Sequence, residues 1–127
     1  MSLVVFDSSV VLAWLLGETG SDLILTLIPN AVISTVNAAE AQARLVRRGT
    51  QPKAAWESIT GSVAEILPFD AEQAEIAGTL VKQTEPFELS LGDRACLALG
   101  LARKCPVYTA DKAWAQLAVG VDVRLVR

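Results

Sequence analysis

Histidine is absent from this 127-residue chain. Its absence excludes Ser-His-Asp and Cys-His catalysis, imidazole general bases and zinc sites built on imidazole. Cysteine is scarce, with only Cys96 and Cys105. Two are too few for a disulfide framework, and they lack metal-ligand spacing. They read as reduced and buried, which points to a cytoplasmic chain. Long apolar runs are missing too. The longest uncharged stretch, Leu23 to Ala39, is broken by Pro29-Asn30, so no membrane-spanning helix is expected. The opening MSLVVFDSS has no basic segment of the kind that starts a secretory signal.

Bases are absent from residues 1–40, which carry four acids, whereas residues 41–56 carry Arg44, Arg47, Arg48 and Lys53 and no acid. From Arg94 onward six bases face only Asp111 and Asp122. A net charge of −3 therefore leaves room for a polyanionic partner, because local basic faces steer such ligands. Apolar residues make up 52% of the chain. That fills a core and leaves enough over for an interaction face. No repeat, linker or low-complexity tract interrupts residues 1–127, which read as one domain.

Apolar runs and turn signals alternate along the chain. LVVF before Asp7 suits a strand buried on both faces. A helix from Ser8 stops at Gly17, and a second runs from Ser21 to Ile28. AVIST (31–35) reads as a strand and Asn37 to Arg48 as a helix. Pro52 opens another helix, ending near Ser62. AEILPF is a third strand. Asp70-x-x-Gln73 opens a helix to about Gln83, and a loop covers Thr84 to Leu89. Ser90-x-x-Asp93 opens the helix to Arg103. Val107–Thr109 is a strand, Lys112–Ala118 a short helix, and VDVRLV the last strand. Five strands alternating with helices predict an α/β three-layer sandwich on a mainly parallel sheet.

In such a sheet, ligands bind beyond the carboxyl ends of the strands. Asp7 ends the first strand there and Asp111 follows the fourth. Glu40 and Asp93 lie in the first turns of two helices that start at the same edge. Each acid also has a local reading. Asp7 and Asp111 fit as helix caps, Asp93 as the fourth member of a Ser90 box, and Asn37-x-x-Glu40 as a further box. Capping alone does not gather four carboxylates at the edge where an α/β sheet puts its chemistry. A pocket of that kind suits a hard cation such as Mg²⁺ or Mn²⁺.

D-S-S after an apolar first strand, the helical Glu40, L-G-D-R-A-C-L-A-L-G-L-A-R, and Y-T-A-D-K-A-W with a terminal V-D-V-R-L-V-R together resemble the PIN domain. More narrowly, they look like the VapC toxins of bacterial VapBC toxin–antitoxin pairs, from residue 3 to residue 127. The resemblance implies that Asp7, Glu40, Asp93 and Asp111 form the acidic quartet that holds Mg²⁺ or Mn²⁺. Ser9 and Thr109 match its supporting hydroxyls. It implies hydrolysis of RNA, a homodimer and a VapB-type antitoxin. Some relatives carry a further acid late in the chain, where this one has Ala115, Gln116 and Ala118.

Without histidine, a bound cation is the available way to make hydroxide near neutral pH. Asp7, Asp93 and Asp111 are assigned to the metal. Glu40 either joins them through water or orients the attacking water. Arg44, four residues past Glu40, and Lys112 are candidates for RNA phosphates. Trp14, Trp56 and Trp114 read as core or interface side chains. Two other readings stand beside the nuclease: a non-catalytic module holding a cation, and a haloacid-dehalogenase-like phosphotransferase. The latter needs a second Asp where this chain has Ser9.

Overall fold

A computed structural model describes residues 2–127. Five short strands, β1 (Val4–Phe6), β2 (Ala31–Ser34), β3 (Glu65–Leu67), β4 (Val107–Thr109) and β5 (Val123–Leu125), form one sheet in the order β3-β2-β1-β4-β5. All four pairings are parallel. Parallel neighbours need crossovers, and helices supply them: α1 (Ser8–Leu15), α2 (Ser21–Leu27), α3 (Thr35–Arg47), α4 (Pro52–Thr60), α5 (Ala71–Thr79), α6 (Val81–Thr84) and α7 (Leu91–Arg103).

Strand pleating divides the core into two layers. Val4, Phe6, Ala31, Ile33 and Tyr108 point to one face, where α1 to α4 bring Val10, Ile24, Ala38, Leu45 and Ile59. Val5, Val32, Leu67 and Val107 point to the other, against Leu97 and Leu99 of α7, Leu80 and Trp114. This is the three-layer α/β sandwich that the alternation predicts. The central strands are apolar on both faces because both are covered.

The chain runs from β1 outward to β2 and β3, then returns to place β4 on the other side of β1. The strand order therefore reverses between β1 and β4, and a crevice opens at their carboxyl ends.

Four local expectations need correction. Thr35 belongs to α3, with the Ser34 hydroxyl accepting from Val36 N at 3.2 Å as the cap. Asn37 and Glu40 are thus inside the helix and form no capping box. The helix from Asp70 breaks at Leu80, and a 3₁₀ turn occupies Glu85–Phe87. Thr79 and Thr84 each hydrogen-bond the carbonyl four residues back, a habit that bends helices. Lys112–Gln116 is a 3₁₀ turn. Cys105 is only partly buried, because it follows the end of α7 at the sheet's amino edge, while Cys96 is fully enclosed. Of the tryptophans, Trp114 is buried, Trp14 packs half-buried on the core, and Trp56 is 41% exposed on α4.

Candidate active site

The crevice between β1 and β4 is built around Asp7. Only 4% of its surface is exposed, and both carboxylate oxygens are engaged. Oδ1 accepts from the Ser9 hydroxyl at 2.5 Å and from Val10 N at 3.1 Å, and Oδ2 accepts from the Thr109 hydroxyl at 2.7 Å. Thr109 reaches Asp7 because β4 lies beside β1 in register. The same two hydroxyls accept from the chain that leaves β4: Ser9 Oγ from Ala110 N at 2.9 Å, Thr109 Oγ1 from Asp111 N at 3.0 Å. Asp7, Ser9 and Thr109 are one network across the switch point.

Burial pushes the Asp7 carboxyl up to about 6 from 3.8. The three hydrogen bonds oppose that rise, and the negative charge of Asp93 adds to it. Asp93 stands in the first turn of α7, where Ser90 N donates to its Oδ2 at 2.9 Å and its own N–H donates to Ser90 Oγ at 3.2 Å. The capping box read from the sequence is therefore formed. Its carboxylate also lines a polar cavity of about 410 Å³ with Glu40, Ser8, Ala43, Arg44 and Arg47. Capping and lining are compatible, since one side chain does both.

Glu40 is held from two sides. Asn37 Nδ2 donates to Glu40 Oε1 at 2.9 Å and to the Gly92 carbonyl at 2.9 Å. The glycine leaves space on α7 that the Glu40 carboxylate fills. The Cys96 thiol of α7 is fully enclosed. Burial, followed by the charges of Asp7, Asp93 and Glu40, raises it well above the usual thiol range.

Asp111 sits at the same sheet edge, where its N–H donates to the Thr109 hydroxyl that also reaches Asp7. It is exposed, and its Oδ1 accepts from Ala113 N at 3.0 Å to cap the 3₁₀ turn. Lys112 is exposed on that turn and does not line the polar cavity. Arg44 lines it, and also lines a neighbouring cavity of about 230 Å³ with Ser8, Ser9 and Arg127. Arg127 pairs with Glu18 there at 3.0 Å. Sequence reasoning gave Asn37 only a capping-box role and gave Gly92, Ser8 and Arg127 none of their own. Asn37 meets Gly92 across 55 residues and Arg127 meets Glu18 across 109, contacts that no local motif announces.

The donor set suits a hard cation, being all oxygen at the acids. Among the described residues no three carboxylates or thiols close on one point that would hold a metal. Mg²⁺ in particular is ordinarily held by one or two carboxylates, with water and substrate phosphates completing its shell. Glu40 and Asp93 on one cavity fit that kind of site.

A family model described as the PIN domain matches residues 4–120. No curated protein matches the chain. Several solved structures share its fold. A toxin–antitoxin complex from Klebsiella pneumoniae superposes with a TM-score of 0.76 at 17% identity, covering 98% of each chain. VapBC2 from Rickettsia felis, bound to a DNA fragment from its promoter, gives 0.75 at 16% identity, covering 97% of this chain and 98% of the other. VapC20 from Mycobacterium tuberculosis, a sarcin–ricin loop cleaving toxin, gives 0.73 at 20% identity, covering 91% and 97%.

Proposed function

The chain belongs to the PIN-domain family, and from that premise we propose that it is a Mg²⁺- or Mn²⁺-dependent endoribonuclease. In this reading it is the toxin of a type II toxin–antitoxin pair, acting in the cytoplasm. The observation that carries the proposal is the acidic edge itself: Glu40 and Asp93 on one polar cavity, with the buried Asp7 at the strand-order switch. The shared fold with a sarcin–ricin loop cleaving toxin supports RNA as the substrate class.

A divalent cation, when bound, supplies a hydroxide near neutral pH and stabilises charge on the phosphate oxygens. Glu40 and Asp93, on the cavity, would hold it together with Asp7 and Asp111. Ser9 and Thr109 keep the Asp7 carboxylate fixed in its crevice. Arg44 and Arg47, on the cavity wall, attract the phosphate backbone. The partners in this reading are the RNA, a VapB-type antitoxin and a second copy of the chain. Exposed Leu16, Leu23 and Leu25 on and beside α1 and α2 offer the apolar face such partners cover.

The test is cleavage of structured RNA with Mg²⁺, Mn²⁺ or chelator, by the wild type and by Asp93→Asn. The wild type should cleave only with a divalent cation. The variant should stay folded and lose more than the roughly 10–100-fold that removal of an outer-shell partner costs. Cleavage in chelator, or near-wild-type activity in Asp93→Asn, overturns the assignment.

A further inference from the structure

We propose that Asn37 is a positioning residue that fixes the Glu40 carboxylate against the start of α7, and that Gly92 is glycine to leave that carboxylate room. The inference rests on the metal-dependent reading above and identifies two residues through which Glu40 acts.

Asn37 and Glu40 are one helical turn apart, so their side chains leave α3 on the same face. Asn37 is 1% exposed, and a buried amide is costly unless its polar atoms are paired. Its Nδ2 is the atom that is paired, and paired twice. One N–H goes to Glu40 on its own helix, the other to the Gly92 carbonyl on α7. Its Oδ1 has no hydrogen-bond partner. What this position uses is therefore a nitrogen with two hydrogens. Aspartate, of the same shape, would set an oxygen against two acceptors.

Gly92 completes the clamp from the other helix. A Cβ at position 92 would collide with all three atoms of the Glu40 carboxylate group, Oε1, Oε2 and Cδ. The obstacle is the end of a flexible side chain. Alanine at 92 therefore displaces Glu40 and leaves the backbone in place. Glycine at this point has no conformational reason, because its φ is not in the left-handed region. In the first turn of a helix it is a poor choice by propensity. Space for Glu40 is the reason that remains. The neighbour of Gly92 is Asp93, so the clamp also sets the separation of the two cavity acids.

The experiment measures Mn²⁺ affinity without RNA, by calorimetric titration, alongside thermal melts in chelator. The variants are Asn37→Leu, Gly92→Ala, Glu40→Gln and the Asn37→Leu/Glu40→Gln double. Asn37→Leu and Gly92→Ala should each raise the Mn²⁺ Kd about 10–100-fold, as loss of an outer-shell partner does. Gly92→Ala should melt within about 4 °C of the wild type in chelator. It thereby keeps the test open if Asn37→Leu folds poorly. In the Glu40→Gln background, Asn37→Leu should weaken Mn²⁺ no further, since the two residues act as one unit.

An unchanged Kd in Gly92→Ala overturns the proposal while the nuclease reading stands. So does a full additional loss in the double variant, which would make Asn37 only a strut between α3 and α7. A wild type that neither binds Mn²⁺ nor cleaves RNA overturns the nuclease reading, and the proposal with it.

Discussion

The two ends of the sheet each carry a cavity of similar size and different chemistry. At the carboxyl end, about 410 Å³ is lined by Glu40, Asp93, Arg44, Arg47, Ser8 and Ala43. At the amino end, about 370 Å³ is lined by Gly100, Leu101, Lys104, Cys105, Pro106, Gly120, Val121 and Asp122. Volume does not distinguish them. At the carboxyl end, buried polar groups are joined into a network, and like charges sit close despite their cost. At the amino end, glycines and apolar side chains close a seam between α7, β4 and β5. Interactions that work against stability are concentrated at one end, and that end is where chemistry is expected.

The largest effect that tests this contrast lies in Asp7. Its carboxyl titrates near 6 in the folded chain against 3.8 when free. Below the lower value both states are protonated and the group is neutral to stability. Between the two values the unfolded chain releases the proton and the folded chain keeps it. Stability therefore falls as pH rises, and the loss is complete above about 6. A shift of this size amounts to about 3 kcal/mol.

Asp7→Asn removes the titration. In chelator the variant should match the wild type near pH 4 and exceed it by up to about 3 kcal/mol at pH 7.5. Added Mn²⁺ should then raise the wild-type Tm and leave the variant nearly unchanged. Denaturant melts across that pH range check it. A difference between the two chains that stays flat with pH would make Asp7 an ordinary cap, and the contrast between the two ends would lose its strongest member.

Asp7 was legible in the sequence because it ends an apolar run, whereas Ser9 and Thr109 came from the resemblance of D-S-S and Y-T-A-D to the PIN domain. A strand end in a parallel sheet has one place to go. The three-layer sandwich was legible through the alternation of strands with helices. Asn37 and Gly92 were not. Asn37-x-x-Glu40 looks like a capping box, and only Ser34 taking the cap converts Asn37 into a bridge to α7. Arg127 was equally hidden, since its pairing with Glu18 spans nearly the whole chain. The four acids were expected in one pocket. The fold sets Glu40 and Asp93 on one cavity, buries Asp7 and leaves Asp111 exposed on its turn. Register along a strand can be read locally, whereas the distance between two helix starts depends on how those helices pack.

At the amino end the expected effect is smaller and purely mechanical. A Cβ at Gly100 would strike Val107 Cγ2 and come within 2.9 Å of Val121 Cγ2. Val107 is fully buried on β4, so its side chain has no room to retreat. Gly100→Ala should cost about 1–3 kcal/mol by overpacking. Cleavage per folded molecule and Mn²⁺ affinity should stay at wild-type values. Denaturant melts read the first expectation and active-fraction-corrected cleavage the second. A change in cation affinity would mean that the amino end communicates with the site.

The smallest effect separates the two ends by charge. Each cavity has basic side chains on its wall, Arg44 and Arg47 at one end and Lys104 at the other. A base counts toward RNA binding only where the phosphate backbone passes. Arg44 lines both cavities flanking Ser8, so a strand crossing the acidic edge runs over it. Each phosphate neutralised on a single strand contributes about 0.7 to the slope of log affinity against log salt. Arg44→Ala in an Asp93→Asn chain, which holds RNA without cutting it, should therefore flatten that slope by about 0.7 and weaken binding across sequences alike. Lys104→Ala in the same chain should leave the slope where it was. Filter-binding titrations at four salt concentrations resolve the difference. Equal flattening by both variants would mean that RNA binds through diffuse charge. Flattening by Lys104→Ala alone would place the RNA at the wrong end of the sheet for Asp7, Glu40 and Asp93 to act on it.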